Sequence, residues 1–188
     1  SHEEHEKVIE VVVKKVDGRI PVIAGTGSNS TSEAIRLTKF AESAGADAAL
    51  LIAPYYNRPT QEGLYRHFMA IADSVSIPLI LYNIPSRTGV NIEIQTFKRL
   101  ADHDNIVGVK EASGKLDLVA QIVRETDLCV LSGDDSLTLP IMALGGSGVI
   151  SVAANVVPRS MADLVDFCLE GNFSEARKVY YRLFPLFK

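Results

Sequence analysis

The chain has 188 residues, 47% hydrophobic and 22% charged, with 19 basic and 23 acidic side chains for a formal net charge of −4. That balance suits one soluble globular domain. It offers no basic stripe for nucleic acid, no run of about 18 apolar residues for a membrane span, and an acidic start, Ser1 to Glu6, unlike a signal peptide.

The opening segment, Glu3 to Val16, reads as a helix. Ile20 to Ala24 is then a short apolar run of strand length. Gly25-Thr26-Gly27-Ser28-Asn29-Ser30 follows it and precedes a helix, as a dinucleotide loop does. Its third glycine is replaced by Ser30, so an N-cap turn at Ser30-Thr31 explains it better. Thr31 to Ala44 carries an apolar stripe and stops at Gly45. Ala48 to Ala53 is the second strand-like run, and a helix starting at Thr60 runs to about Ser74. Further apolar runs cover Ile77 to Tyr82, Ile106 to Val109, Leu128 to Leu131 and Gly148 to Val152. Gly145-Gly146-Ser147-Gly148 reads as a helix stop and turn. Two last helices, Ser160 to Leu169 and Ser174 to Leu186, join at Gly171-Asn172. Cys129 and Cys168 read as small buried hydrophobes, with neither a disulfide framework nor a zinc site, and a cytoplasmic location is expected.

Strands apolar on both faces, alternating with amphipathic helices, are the pattern of a buried parallel sheet. About six β-α units fit either an open doubly wound sheet or part of a (β/α)₈ barrel, which typically needs about 250 residues. Chemistry in such folds gathers at the carboxyl ends of the strands.

One strand ends in Lys110-Glu111. At pH 7 only about one ordinary lysine in 2,500 is neutral, and desolvation at a strand-lined mouth raises that fraction. The competing reading is a lysine snorkelling from the rim. Another strand ends in Tyr82, a phenol, followed by Arg87, whose planar guanidinium suits a carboxylate. A core tyrosine and a solvated arginine explain the same residues. Tyr55-Tyr56 makes a strand-to-loop corner, either plain packing or one face of a subunit interface. Asp134-Asp135 suggests a metal at first sight, but a helix N-cap at Asp135-Ser136 is the better reading. His2 and His5 lack a third ligand, so no metal is expected.

Together, Ala53-Pro54-Tyr55-Tyr56-Asn57-Arg58-Pro59-Thr60-Gln61-Glu62-Gly63, Tyr82-Asn83-Ile84-Pro85-Ser86-Arg87-Thr88-Gly89 and Val107-Gly108-Val109-Lys110-Glu111-Ala112-Ser113 resemble the dihydrodipicolinate synthases, of the N-acetylneuraminate lyase superfamily. The resemblance covers the whole chain. It implies an α/β fold, a (β/α)₈ TIM barrel of which residues 1–188 form a single partial domain, strands three to eight. The first two strands, whose paired threonines have no match here, would lie upstream, and a helical extension downstream.

The resemblance implies a lyase in lysine and diaminopimelate biosynthesis that needs no cofactor. Its substrates would be pyruvate and aspartate semialdehyde, in a homo-oligomer, dimer or tetramer. Lys110 would form the imine with pyruvate, Tyr82 would relay protons, and Tyr56 would be donated across a subunit interface. Arg87 would bind the semialdehyde carboxylate, and Gly133 and the Ile150 carbonyl would line the pyruvate pocket. His2, His5, Asn29, Glu33 and Tyr55 match a lysine-feedback site. Another pyruvate-dependent aldolase of the superfamily, a truncated non-catalytic barrel module and a nucleotide binder are the alternatives.

Overall fold

The computed structural model describes residues 1–187. Two compact units divide the chain, Ser1–Gly108 and Val109–Lys188. Six strands lie in chain order in the sheet, labelled here β1 to β6.

The first unit opens with helix α1, His2–Val16, held at its start by a capping box between Ser1 and Glu4. Strand β1, Ile23–Gly25, follows, then α2, Thr31–Ala44, and β2, Ala48–Ile52. Gly45 ends α2 at φ 90°, a conformation that glycine adopts without a Cβ penalty. Helix α3, Gln61–Ala72, is capped by the Thr60 hydroxyl, which accepts from the Gly63 amide. Strand β3, Leu79–Asn83, the short helix α4, Pro85–Thr88, and α5, Ile94–Ala101, complete the unit up to the start of β4, Ile106–Glu111. The pairs β1–β2 and β2–β3 are parallel. Leu51, Leu79 and Leu81 are wholly buried, as strands covered on both faces require.

The second unit takes the end of β4 and continues with α6, Leu116–Glu125, β5, Cys129–Ser132, and α7, Thr138–Ala143. Strand β6, Gly148–Val149, pairs parallel with β5. Helices α8, Pro158–Leu169, and α9, Phe173–Leu183, follow. Met161, Leu164 and Cys168 of α8 pack with Ala176, Val179 and Leu183 of α9 in one apolar cluster.

Several boundaries differ from the sequence reading, each for a physical reason. β1 starts at Ile23 rather than Ile20, which is 64% exposed. Pro21 has no amide to donate, and the Asp47 carboxylate takes the Val22 amide at 2.6 Å. β6 stops at Val149 rather than Val152: the Ile150 amide still donates to the Ser132 carbonyl at the end of β5, but the Val152 and Ala153 amides go to the Asp135 carboxylate. Cys129 is exposed at the first position of β5, where alternation turns it outward, so its reading as a buried hydrophobe is corrected. Cys168 is buried as expected.

Helices α5 and α6 lie where the sequence pattern marks no helix. Both start without a side-chain cap bond, so the usual start signal is missing. Ser30 does stand at the N-cap of α2, though its side chain makes no capping bond. The glycine-rich run before it serves packing. Thr26 and Gly27 amides donate to the Leu50 carbonyl, and a β-carbon on Gly27 would collide with the Ile52 backbone nitrogen.

Candidate functional site

In the second unit, Lys110 is the next-to-last residue of β4 and half-buried. Its stem lies against Gly133, just past β5. A β-carbon at Gly133 would stand 2.7 Å from Ala112 Cβ and 3.1 Å from Lys110 Cε. A side chain at this position would collide with Ala112 and crowd the lysine stem. Burial lowers the Lys110 pKa below the ordinary lysine value, and the Asp135 charge offsets part of this. The net lowering raises the share of neutral, nucleophilic amine above that of an ordinary lysine. The Gly133 amide donates to the Glu111 carbonyl at 2.8 Å, and the Ile150 amide to the Ser132 carbonyl at 2.9 Å. Three strand ends are thereby pinned around one lysine.

The acidic pair behaves differently from the sequence reading. Asp134, not Asp135, caps the 3-10 turn Asp135–Leu137, with its carboxylate accepting from the Ser136 amide at 2.9 Å. Asp135 reaches the segment after β6 instead.

In the first unit, Tyr82 sits half-buried in β3. Burial raises its phenol pKa, and the Arg87 charge opposes that rise. A phenol kept neutral in this way can both donate and accept a proton. Arg87 is exposed in α4, the turn directly after β3.

Asn83, which the sequence reading did not single out, anchors this segment. It is wholly buried, accepts from the Ile92 amide at 3.0 Å and donates to Asn91 Oδ1 at 3.0 Å. Asn83→Ala strands the Ile92 donor, so a loss of about 1–3 kcal/mol is expected. A urea midpoint unchanged from the parent would refute that clamp.

Tyr56 is 91% exposed and Tyr55 39%. Tyr56 and Arg58 have φ of 72° and 44°, left-handed values that non-glycine residues adopt only where the surrounding loop imposes them. The five residues matched to a feedback site all fall in this unit, and two pairs of them are in contact. His2 Nδ1 is 3.0 Å from Glu33 Oε1, and Ser28 donates to the other Glu33 oxygen at 2.7 Å. His5 Nε2 meets the Gly25 carbonyl at 2.7 Å, so that nitrogen carries the proton. Asn29 donates to the Tyr55 carbonyl at 3.2 Å. Among the described residues, no group of three or more His, Cys, Asp or Glu is placed for a metal ion. Among them, too, no helix is long and apolar enough to cross a membrane.

A partly desolvated lysine at the carboxyl end of a strand in a parallel sheet is an arrangement suited to Schiff-base chemistry on carbonyl substrates. The dihydrodipicolinate synthetase family matches residues 1–188, and the chain belongs to that family. It is 57% identical over 189 aligned positions to the 4-hydroxy-tetrahydrodipicolinate synthase of Methanocaldococcus jannaschii, covering 100% of this chain and 65% of that protein. The chain thus spans about two thirds, 65%, of the length of the curated relatives it matches. The dihydrodipicolinate synthase of Acinetobacter baumannii, solved in complex with pyruvate, superposes with a TM-score of 0.96 at 47% identity, covering 99% of this chain and 65% of that one. The enzyme of Cyanidioschyzon merolae, solved with lysine bound, gives a TM-score of 0.96 at 44% identity, covering 100% and 65%.

Proposed function

We propose that this chain carries the Schiff-base core of a 4-hydroxy-tetrahydrodipicolinate synthase, joining pyruvate to aspartate semialdehyde. The carrying observation is Lys110, with its stem wedged against Gly133 and its amine desolvated at the end of β4. Relatives that match the whole chain bear the synthase name, and one relative was solved with pyruvate.

In this reading the neutral Lys110 amine attacks the pyruvate ketone. Loss of water gives an imine, which tautomerises to an enamine. The enamine carbon adds to the semialdehyde aldehyde, and the new amine displaces Lys110 as the ring closes. Tyr82 passes protons, Tyr56 serves from a neighbouring copy in a dimer or tetramer, and Gly133 with the Ile150 carbonyl lines the pyruvate pocket. The full barrel has eight β-α units, residues 1–188 form one partial barrel domain, and the setting is cytoplasmic. His2, His5, Asn29, Glu33 and Tyr55 form a lysine-binding cluster. Support for that cluster is the geometry of His2, Glu33, Asn29 and Tyr55 and the lysine-bound relative.

Arg87 holds the semialdehyde carboxylate. Arg87→Ala is expected to weaken semialdehyde use by about 10-fold or more, the loss of a charge-assisted pair, and to leave pyruvate binding nearly unchanged. Equal losses for both substrates in steady-state kinetics would sink that role. The reading as a whole is tested by borohydride reduction in the presence of pyruvate, followed by peptide mapping. A reduced adduct on Lys110 is expected. A cooperatively melting sample with no adduct would leave a folded, non-catalytic barrel module.

A further inference from the structure

Asp135 has a contact pattern that a helix cap does not explain. One oxygen, Oδ2, accepts from two successive amides, Val152 at 3.2 Å and Ala153 at 2.9 Å. The other, Oδ1, is shielded from solvent and has no hydrogen-bond partner among the described residues. A carboxylate oxygen without a donor is costly to bury. Its surroundings belong to the lysine's corner of this unit. Gly133, against which the Lys110 stem packs, lines the same open cavity of about 360 Å³ as Asp134, Asp135, Val152, Ala153 and Phe187.

We infer that Asp135 is a positioning residue of the Lys110 site. Its Oδ2 clamps the turn after β6 that carries the Ile150 carbonyl, and its remaining charge favours the cationic forms of the Lys110 nitrogen. The inference rests on the Schiff-base reading of Lys110.

The clamp and the charge are separable. The clamp joins two strand ends. β5 runs into Asp134 and Asp135, β6 into Ile150 to Ala153, and both Val152 and Ala153 amides find their acceptor on Asp135. Val152 itself is 77% exposed, so apolar burial of its side chain adds little to hold this turn in place.

The charge acts on the chemistry. A lysine ammonium and a ketone give a protonated imine and one water: the nitrogen loses two hydrogens, the water takes them with the ketone oxygen, and one positive charge stands on each side. A fixed anion therefore stabilises both the starting ammonium and the protonated imine relative to the neutral amine between them. Asp134, Tyr180 and Glu111, close to this corner, have hydrogen-bond partners of their own. Asp134 Oδ1 accepts from the Ser136 amide and hydroxyl, and Tyr180 donates to the Ser136 carbonyl at 2.9 Å. Glu111 follows Lys110 on the opposite face of β4 and accepts from the Ser113 amide. Asp135 stands two residues beyond the Gly133 that packs on the Lys110 stem and lines the same cavity, and its charge opposes the lowering of the Lys110 pKa caused by burial.

Two variants test this. Asp135→Asn keeps an acceptor for the two amides and removes the charge; Asp135→Ala removes both. The Lys110 amine is titrated without substrate, by its acetic anhydride acylation rate across pH, read by peptide mass. In Asp135→Asn the midpoint is expected to fall by about half a unit or more, a roughly threefold gain in neutral amine at fixed pH. An unmoved midpoint overturns the charge role. Half-saturation by pyruvate in the trapping assay is expected to be at least about threefold weaker in Asp135→Ala than in Asp135→Asn. Equal values overturn the clamp. A wild-type chain that acylates normally at Lys110 but forms no pyruvate adduct refutes the Schiff-base reading, while the titration still decides the charge role.

Discussion

Lys110→Met is expected to abolish the pyruvate adduct, by a factor on the order of 10³ or more, while leaving the fold intact. Removal of a covalent nucleophile is among the largest losses a single substitution produces in an enzyme. Methionine is chosen because it keeps an unbranched stem to lie against Gly133, where Lys110 Cγ and Cε already fit within 3.1–3.2 Å of a β-carbon position. Alanine would open a gap there and confuse packing with chemistry.

The sign of the stability change adds a second check. Burial lowers the Lys110 pKa in the folded chain. A lysine with a depressed folded pKa costs stability at every pH where the unfolded lysine is charged, which includes pH 7. Methionine lifts that cost, so the variant is expected to melt at or above the parent. An adduct that persists at another lysine, or a variant that melts far below the parent, would remove Lys110 from its assigned role. In the parent, the trapping rate is expected to follow the neutral amine, with a pH midpoint below the ordinary lysine value of about 10.4.

What the sequence revealed follows from which forces act locally. Lys110 was legible because a buried strand announces itself by an unbroken apolar run, Ile106 to Val109, and the first charged residue after such a run stands at the sheet's active edge. Helix α2 was legible to the residue, since Gly45 both ends the apolar stripe and takes the left-handed turn. The glycine at 133 was marked by resemblance, but its steric reason needed coordinates: the atoms that exclude a side chain come from β4 and the residue just beyond it, Lys110 and Ala112.

The misses share one character. Asp135 looked like a cap because the residues beside it start a helix, whereas its partners stand 17 and 18 positions away. Val22 looked like strand until Asp47, 25 positions on, claimed its amide. Such side-chain clamps depend on distance in space, and no periodicity in the chain encodes them. Cys129 shows the reverse error. An apolar run suggests that every member is buried, yet alternation turns the first residue of β5 outward.

His67 is expected to make the chain lose stability in mild acid, well above the pH at which carboxylates protonate. It lies on α3, 6% exposed, with Nδ1 2.8 Å from the Thr31 hydroxyl and Nε2 buried with no hydrogen-bond partner among the described residues. Phe68 meets its ring edge-on at 5.2 Å between centroids. A proton added there would place a charge among groups that cannot solvate it, and desolvation lowers the His67 pKa to about 4. The folded chain therefore binds this proton later than the unfolded chain, whose histidine titrates near 6.5. Stability is unaffected above about pH 6.5, falls as pH drops through the window between 6.5 and 4, and levels off below it. The full loss is about 3 kcal/mol, with about 1.4 kcal/mol of it reached by pH 5.5. His67→Gln keeps a neutral group able to reach Thr31 and carries no titration, so its urea midpoint should change less between pH 7.5 and 5. A parent and variant that lose stability in parallel over that range would show that His67 is protonated in the fold, and that Nε2 finds a partner the buried ring otherwise lacks.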